Sequence, residues 1–255
     1  MNASGKQQRG FTLVEIAIVL LIVTVLLGYS VAMFPMQQEL KQYRHVNSEM
    51  ESIIEHLIAF AQVSGRLPCP DTSTDNVLPA NSIDGEEDRD GTNACEAYFG
   101  FLPAETLGIN GKYDDAGVLV DPWSQRYGYA VSEVDVGGDK VLVTPNGVRA
   151  AGIAGVTPDL FVCSDSNILG NHADCTAAGS NQVVGNVAAV VISLGKDYEL
   201  PASSNIQAEN ADDFHDGTND KVYIFTGRRD DYDDVVKWVS TNLLFSRMIA
   251  AEQLP

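Results

Sequence analysis

RGFTLVEIAIVLLIVTVLLGY, the stretch Arg9–Tyr29, is apolar almost throughout and carries a single carboxylate, Glu15. The uncharged surroundings continue to Phe34. At about 20 residues per bilayer crossing, the run from Phe11 is long enough to span a membrane as a helix. An acid inside hydrocarbon is unfavourable by roughly 2.5 to 3.5 kcal/mol, so Glu15 calls for a partner. Lys6 and Arg9 precede the run and no acid does. The excess of positive charge predicts that residues 1–10 stay in the cytoplasm and that everything beyond Phe34 crosses the membrane.

A secretory signal is the competing reading, with Lys6 and Arg9 as its basic region and Ser30-Val31-Ala32 as a cleavage site. It leaves Glu15 unexplained and needs an apolar core longer than the usual 7 to 15 residues or so. Gly10-Phe11-Thr12-Leu13-Val14-Glu15 instead resembles the processing motif of type IV pilins and type II secretion pseudopilins. The resemblance implies that prepilin peptidase cuts after Gly10 and methylates Phe11. It also implies that Glu15, fifth in the mature chain, meets the N-terminal amine of a neighbouring subunit. A carboxylate and an ammonium that are each costly in lipid can compensate one another, which selects one register between helices.

With 255 residues, 45% hydrophobic and 20% charged, the chain has room for one membrane segment and one globular head. The expected organisation is a leader over 1–10, a membrane-spanning half-helix over 11–35, an amphipathic half-helix over 36–65 and an extracytoplasmic head over 66–255. Net charge is −19; setting aside Lys6, Arg9 and the −3 carried by the helix to Phe60 leaves −18 on the remainder. Such a field argues against binding nucleic acid through its phosphates, so no nucleic acid is expected, and it favours solubility, cations or a basic partner.

Tyr43, Val46, Met50, Ile53, Ile54, Leu57, Ile58 and Ala61 recur at spacings of three and four, one stripe of an amphipathic helix that Gly65 and Pro68 should end. Gly28 and Pro35 predict a bend or local melting midway. From Leu67 on, short apolar runs alternate with Gly, Pro, Asn and Asp, the pattern of a strand-rich module. Expected strands are 127–131, 140–144, 160–163, 187–193 and 221–226; 235–239 is a strand or a helix start, and Asn242 is a candidate helix cap. The predicted class is α+β, pilin-like, with a long N-terminal helix packed on an antiparallel sheet.

Cys69, Cys95, Cys163 and Cys175 in an oxidising compartment predict disulfides, with three pairings possible. Proximity favours Cys69 with Cys95 and Cys163 with Cys175. A zinc site using Cys163, His172 and Cys175 competes, although its spacing fits no standard ligand pattern. Asp121-Pro122-Trp123-Ser124-Gln125-Arg126-Tyr127-Gly128-Tyr129 is similar to a segment of major type II pseudopilins, with Ser124 replacing the usual glycine. Ile192–Asp197 and Asp233–Trp238 more loosely resemble their two later signatures.

Those proteins hold calcium in the loop between the later signatures, which points here to 200–220. Asp197, Asp212, Asp213, Asp216, Asn219 and Asp220 supply hard oxygen donors. Glu86–Gly91 is a weaker second candidate. Asp-Gly-Thr-Asn, present at Asp90 and Asp216, also reads as turn chemistry on a solvated surface. None of the usual hydrolase, metalloprotease, phosphate-loop or dinucleotide motifs occurs, and no catalytic residue is assigned. The reading is a structural subunit that assembles through its N-terminal helix with copies of itself or other pilins. The alternative is a membrane-anchored or signal-cleaved monomeric periplasmic binding protein holding calcium or a basic ligand.

Overall fold

The computed structural model describes residues 12–72, 83–91, 94–164, 175, 181–196, 210–211, 221–229 and 232–254. The chain divides into two compact units, Met1–Arg44 and His45–Pro255. One helix, α1 (Leu13–Ser64), contributes to both and is uninterrupted through Gly28 and Pro35, so the expected melting does not occur.

In the first unit, every side chain from Thr12 to Gly28 is exposed. Twelve large apolar residues between Leu13 and Leu27 are 42% to 87% open to solvent. Among the described residues no helix is long and apolar enough to cross a membrane.

The second unit begins with the amphipathic half of α1. Val46, Met50, Ile53, Leu57, Ile58 and Ala61 are buried, the stripe expected from their spacing. Ile54 is only half-buried. The helix ends at Ser64 because Gly65 adopts φ +71° and returns its N–H to the Ala61 carbonyl at 3.0 Å, a left-handed cap open to glycine.

The principal sheet has four antiparallel strands in the order β1 (Phe99–Phe101), β4 (Gly128–Val131), β9 (Ala189–Ser193) and β11 (Val235–Val239). The short strands β2 (Lys112–Tyr113) with β3 (Leu119–Val120), and β5 (Asp135–Val136) with β6 (Asp139–Lys140), form two-stranded ribbons. Register aligns Tyr129, Val191 and Lys237 in one row and Ala130, Val190 and Trp238 in the next. Alternation therefore sends these rows to opposite faces. The first faces α1: Lys237 reaches Glu51 at 3.5 Å and the Tyr129 hydroxyl donates to the Pro68 carbonyl at 3.1 Å, just past the helix end.

Ala130, Val190, Ile192 and Val236 pack with Leu160, Val162, Val187 and Tyr223 into a second core. Those partners come from a smaller sheet, in which β7 (Leu160–Cys163) lies between β10 (Val222–Ile224) and β8 (Gln182–Val187). β9 is buried along its whole length because both faces are covered, which is why its sequence is an unbroken apolar run. β8 leads into β9 through Ala188, after Asn186 turns the backbone to φ +56°, so the chain passes from one sheet to the other.

Several expectations are corrected. The pairing of β10 with β7 is parallel, so the head is not wholly antiparallel. Of 140–144, only Lys140 is strand, as the end of β6. Val141–Val143 are buried in a turn, with the Val143 and Thr144 N–H groups returning to the Lys140 carbonyl. That turn leads into a short helix, α2 (Gly147–Ala151). Val235–Val239 is a strand. The last helix, α3 (Thr241–Ala250), has Ser240 rather than Asn242 at its cap position, with no side-chain cap bond.

Disulfides join Cys69 to Cys95 and Cys163 to Cys175, with Cα atoms 5.3 and 6.0 Å apart. The second leaves no thiolate for the zinc alternative. Each closes a polar loop whose unfolded freedom packing alone could not offset.

Beyond the helix end, Arg66 Nη1 and Nη2 donate to both oxygens of Glu87 at 2.7 and 2.5 Å, and the Cys69 N–H adds a bond at 3.0 Å. Burial by itself raises the Glu87 carboxyl, but these donors and the charges of Arg66 and Arg89 outweigh it and hold the group below its usual 4.5. A carboxylate whose folded pKa is depressed stabilises the fold above its unfolded pKa and loses that contribution as pH falls through the folded value. Glu87→Gln should therefore lower unfolding free energy by about 1.5 to 3 kcal/mol at neutral pH. Urea titrations should show the deficit shrinking as pH falls below about 4.5. A deficit independent of pH would contradict this.

Candidate functional site

The N-terminal motif contains the first candidate. Gly10 and Phe11 lie outside the described residues. Helix α1 starts beside them by a specific device: Thr12 Oγ1 accepts the N–H of Glu15 at 3.3 Å, and the Thr12 carbonyl accepts the N–H of Ile16 at 3.2 Å. Thr12 is therefore the cap and Glu15 the third helical residue, the Thr-x-x-Glu spacing of a capping box. That signal is present in the sequence and adds a local role to Glu15: its carboxylate belongs to the first turn, where unsatisfied N–H groups and the helix dipole favour negative charge. Around it the helix offers exposed Leu, Ile and Val, broken only by Ala17, Thr24 and Gly28. An acid is thus held at one defined level of an otherwise featureless apolar rod.

The second candidate is the meeting of the three head segments, which the fold brings together. Asp121 is 1% exposed; its Oδ1 accepts the N–H groups of Trp123 and Gln125, each at 2.9 Å. Its Oδ2 accepts the hydroxyl of Ser193 at 2.7 Å, linking the first segment to the second. Asp233, from the third, accepts the Lys196 N–H at 2.7 Å and presses against Gly195, where a Cβ would come within 2.5 Å of its Cγ. Burial raises the Asp121 carboxyl against the opposing effect of its donors. Tyr127 ties the same segment to α1 by donating to Glu49 at 2.7 Å.

Ser124, the departure from the pseudopilin pattern, has φ +71°. Glycine occupies that conformation at no steric cost, whereas serine is strained there. The Lys112 ammonium donates to its hydroxyl at 2.7 Å.

Asp197, Asp212, Asp213, Asp216, Asn219 and Asp220 lie outside the described residues. The frame that borders them is described. Asn210 is fully buried, accepting the Ile224 N–H at 2.7 Å and donating to Asp234 at 2.9 Å, so the segment before the acidic loop is pinned to the strand after it. Among the described residues no group of three or more potential ligands could hold a metal. This corrects the earlier candidate at Glu86–Gly91. Glu87 is bound by Arg66, Asp88 accepts the Thr72 N–H at 2.7 Å, and Asp90 accepts the Ala94 N–H at 3.0 Å, so these acids are spent on closing turns.

A groove of about 700 Å³ runs between Glu51–Glu55 of α1 and the sheet edge at Lys237–Trp238. Phe225 meets Trp238 edge-on there, with ring centres 5.4 Å apart. Its two glutamates are matched by Lys237 at 3.5 Å and Arg247 at 3.9 Å. His45 and His56 lie on α1, and His56 Nδ1 is occupied by the Ser52 carbonyl at 2.8 Å.

Comparison with known proteins adds one match. Residues 5–30 fit the family model of the prokaryotic N-terminal methylation motif. No curated protein and no solved structure matches the chain. The matched residues contain the capped helix start, Glu15 and the exposed apolar surface. The chain thus carries, over residues 5–30, the methylation motif that is the hallmark of type IV pilin and pseudopilin proteins.

Proposed function

We propose that this protein is a structural subunit of a type IV pilus or type II secretion pseudopilus. Prepilin peptidase cuts it after Gly10 and methylates Phe11. Before assembly the segment 11–35 spans the inner membrane and the head stands on the periplasmic side; afterwards the subunit belongs to a periplasmic or extracellular filament. The observation that carries this reading is the joining of the methylation motif to a helical surface of twelve exposed large apolar residues interrupted only by Glu15 and small or hydroxyl residues.

Burial of such side chains is worth about 1.5 to 3 kcal/mol each, so sheltering this surface between subunits offers on the order of 20 kcal/mol before costs of association. That drive has no direction along the helix. Pairing of Glu15 with the Phe11 amine of a neighbour supplies one, because any other register leaves both charges buried and unmatched. Mass spectrometry of the mature chain should find N-methyl-Phe11 at its start, and Glu15→Val should be processed normally yet fail to enter filaments. A chain beginning at Met33, or an intact Met1 with no filament, would leave the monomeric periplasmic binding protein as the better account.

The loop between the later signatures is proposed to hold calcium through Asp197, Asp212, Asp213, Asp216, Asn219 and Asp220. Carboxylate and amide oxygens suit a hard cation, and one ion would relieve the mutual repulsion of the acids. The buried Asn210 supports this by tying the residue two before Asp212 to Ile224 of β10, four residues after Asp220. Calcium should raise the melting temperature of the full chain in detergent and a chelator should lower it, with Asp212→Asn/Asp216→Asn losing the response. An unchanged melting temperature at millimolar calcium would exclude the site.

A further inference from the structure

Asp71 follows the helix end and the Cys69 bridge. Its backbone exchanges two hydrogen bonds with Phe101 of β1, at 2.9 and 2.7 Å, placing it on the edge of the principal sheet. The residue is 0% exposed. Its carboxyl points at the turn over 84–85, where Oδ2 accepts the Gly85 N–H at 2.7 Å. Oδ1 is equally buried and meets no hydrogen-bond donor among the described residues.

The surroundings disfavour charge here. Asp84 and Asp88 face it from the 83–91 segment, and both oppose its ionisation. The cations of that neighbourhood are committed elsewhere, Arg66 to Glu87 and Arg89 to the Val143 carbonyl at 3.1 Å. Glu105 packs beside Gly85, to whose carbonyl it donates its own N–H at 2.9 Å. β1 contributes only Phe99, Gly100 and Phe101. A buried carboxylate held only by backbone N–H groups of the 84–85 turn, with two like-charged neighbours and, among the described residues, no counter-ion, is costly, whereas the neutral acid keeps the Gly85 bond without the charge.

We propose that Asp71 is a proton-operated clasp: while its carboxyl carries a proton it holds the Gly85 turn against the edge of β1, and loss of that proton loosens the turn. Gly85 itself admits no substitute for the contact, since its φ is +82° and a Cβ would meet the Gly117 carbonyl oxygen. Burial, joined by the charges of Asp88 and Asp84, outweighs the opposing N–H bonds from Gly85 and Asp84 and pushes the Asp71 carboxyl up from 3.8 to about 6. With the folded value above the unfolded one, the sign is opposite to that of Glu87. Stability is greatest where both states are protonated, declines as pH rises through the unfolded value, and levels off above the folded value.

The test uses the full chain in detergent micelles with its disulfides intact. Asp71→Asn keeps an acceptor for the Gly85 N–H and removes the titration. From about pH 3.5 to about pH 7, the unfolding equilibrium constant of the wild type should rise roughly a hundredfold relative to Asp71→Asn and then level off. Amide exchange at Gly85, corrected for its intrinsic pH dependence, should lose protection above about pH 6 in the wild type alone. A third protein, Asp84→Asn, alters an exposed neighbour and should shift the wild-type profile to lower pH, which keeps the test open if Asp71→Asn does not fold. Parallel stability profiles with unchanged Gly85 protection, or an Asp84→Asn profile that does not move, would overturn the clasp.

Discussion

The structure turns on a constraint that the folded monomer does not meet: the Thr12–Gly28 face of α1 is apolar, exposed and held helical by its own backbone bonds. In water such a surface is unfavourable in proportion to its area, and large contiguous apolar patches on soluble proteins mark contacts. Under the proposed function the chain meets two hosts in succession, lipid and then other subunits. Glu15 distinguishes them. In lipid it is a cost, whereas between subunits it can become a register mark, with Thr12 fixing the turn from which it is presented.

In the second unit, α1 solves a different problem with the same helix. Its buried stripe from Val46 to Ala61 lies on one face of the four-stranded sheet, and a smaller sheet covers the other. Tyr127 to Glu49, Tyr129 to the Pro68 carbonyl and Arg66 to Glu87 then lock the helix end to the head by polar contacts that tolerate little displacement. The three segments similar to pseudopilin signatures meet at Asp121, Ser193 and Asp233. In this molecule the hydrogen bonds of Asp121, Ser193 and Asp233 close turns and join these segments to one another.

What was legible in the sequence follows from how local the signal is. The helix stripe, its glycine stop and the strand at Leu160–Cys163 depend on periodicity and end residues, and they stand where expected, whereas the buried run expected over 187–193 is divided, Val187 ending β8 and Ala189–Ser193 forming β9. The two disulfides link neighbours in sequence. Val141–Val143 misled because an apolar run buried in a turn looks like one buried in a strand, and only long-range packing decides between them. The parallel pairing of Val222–Ile224 with Leu160–Cys163 joins segments some sixty residues apart and has no local signature. Asp71 was missed for the same reason, since its burial comes from a turn and a strand distant in sequence. Ser124 shows the converse, a departure from a pattern whose meaning became visible only as a positive φ. The capping box at Thr12 and Glu15 was readable and was obscured by the membrane argument over the same residues.

The most direct test of the central claim is electron cryomicroscopy of assembled filaments at side-chain resolution. The account predicts that Leu13–Leu27 are buried against neighbouring helices and that each Glu15 carboxylate lies within about 4 Å of a neighbour's N-terminal amine. Filaments joined only through their heads, with this face still exposed or Glu15 far from any amine, would contradict it.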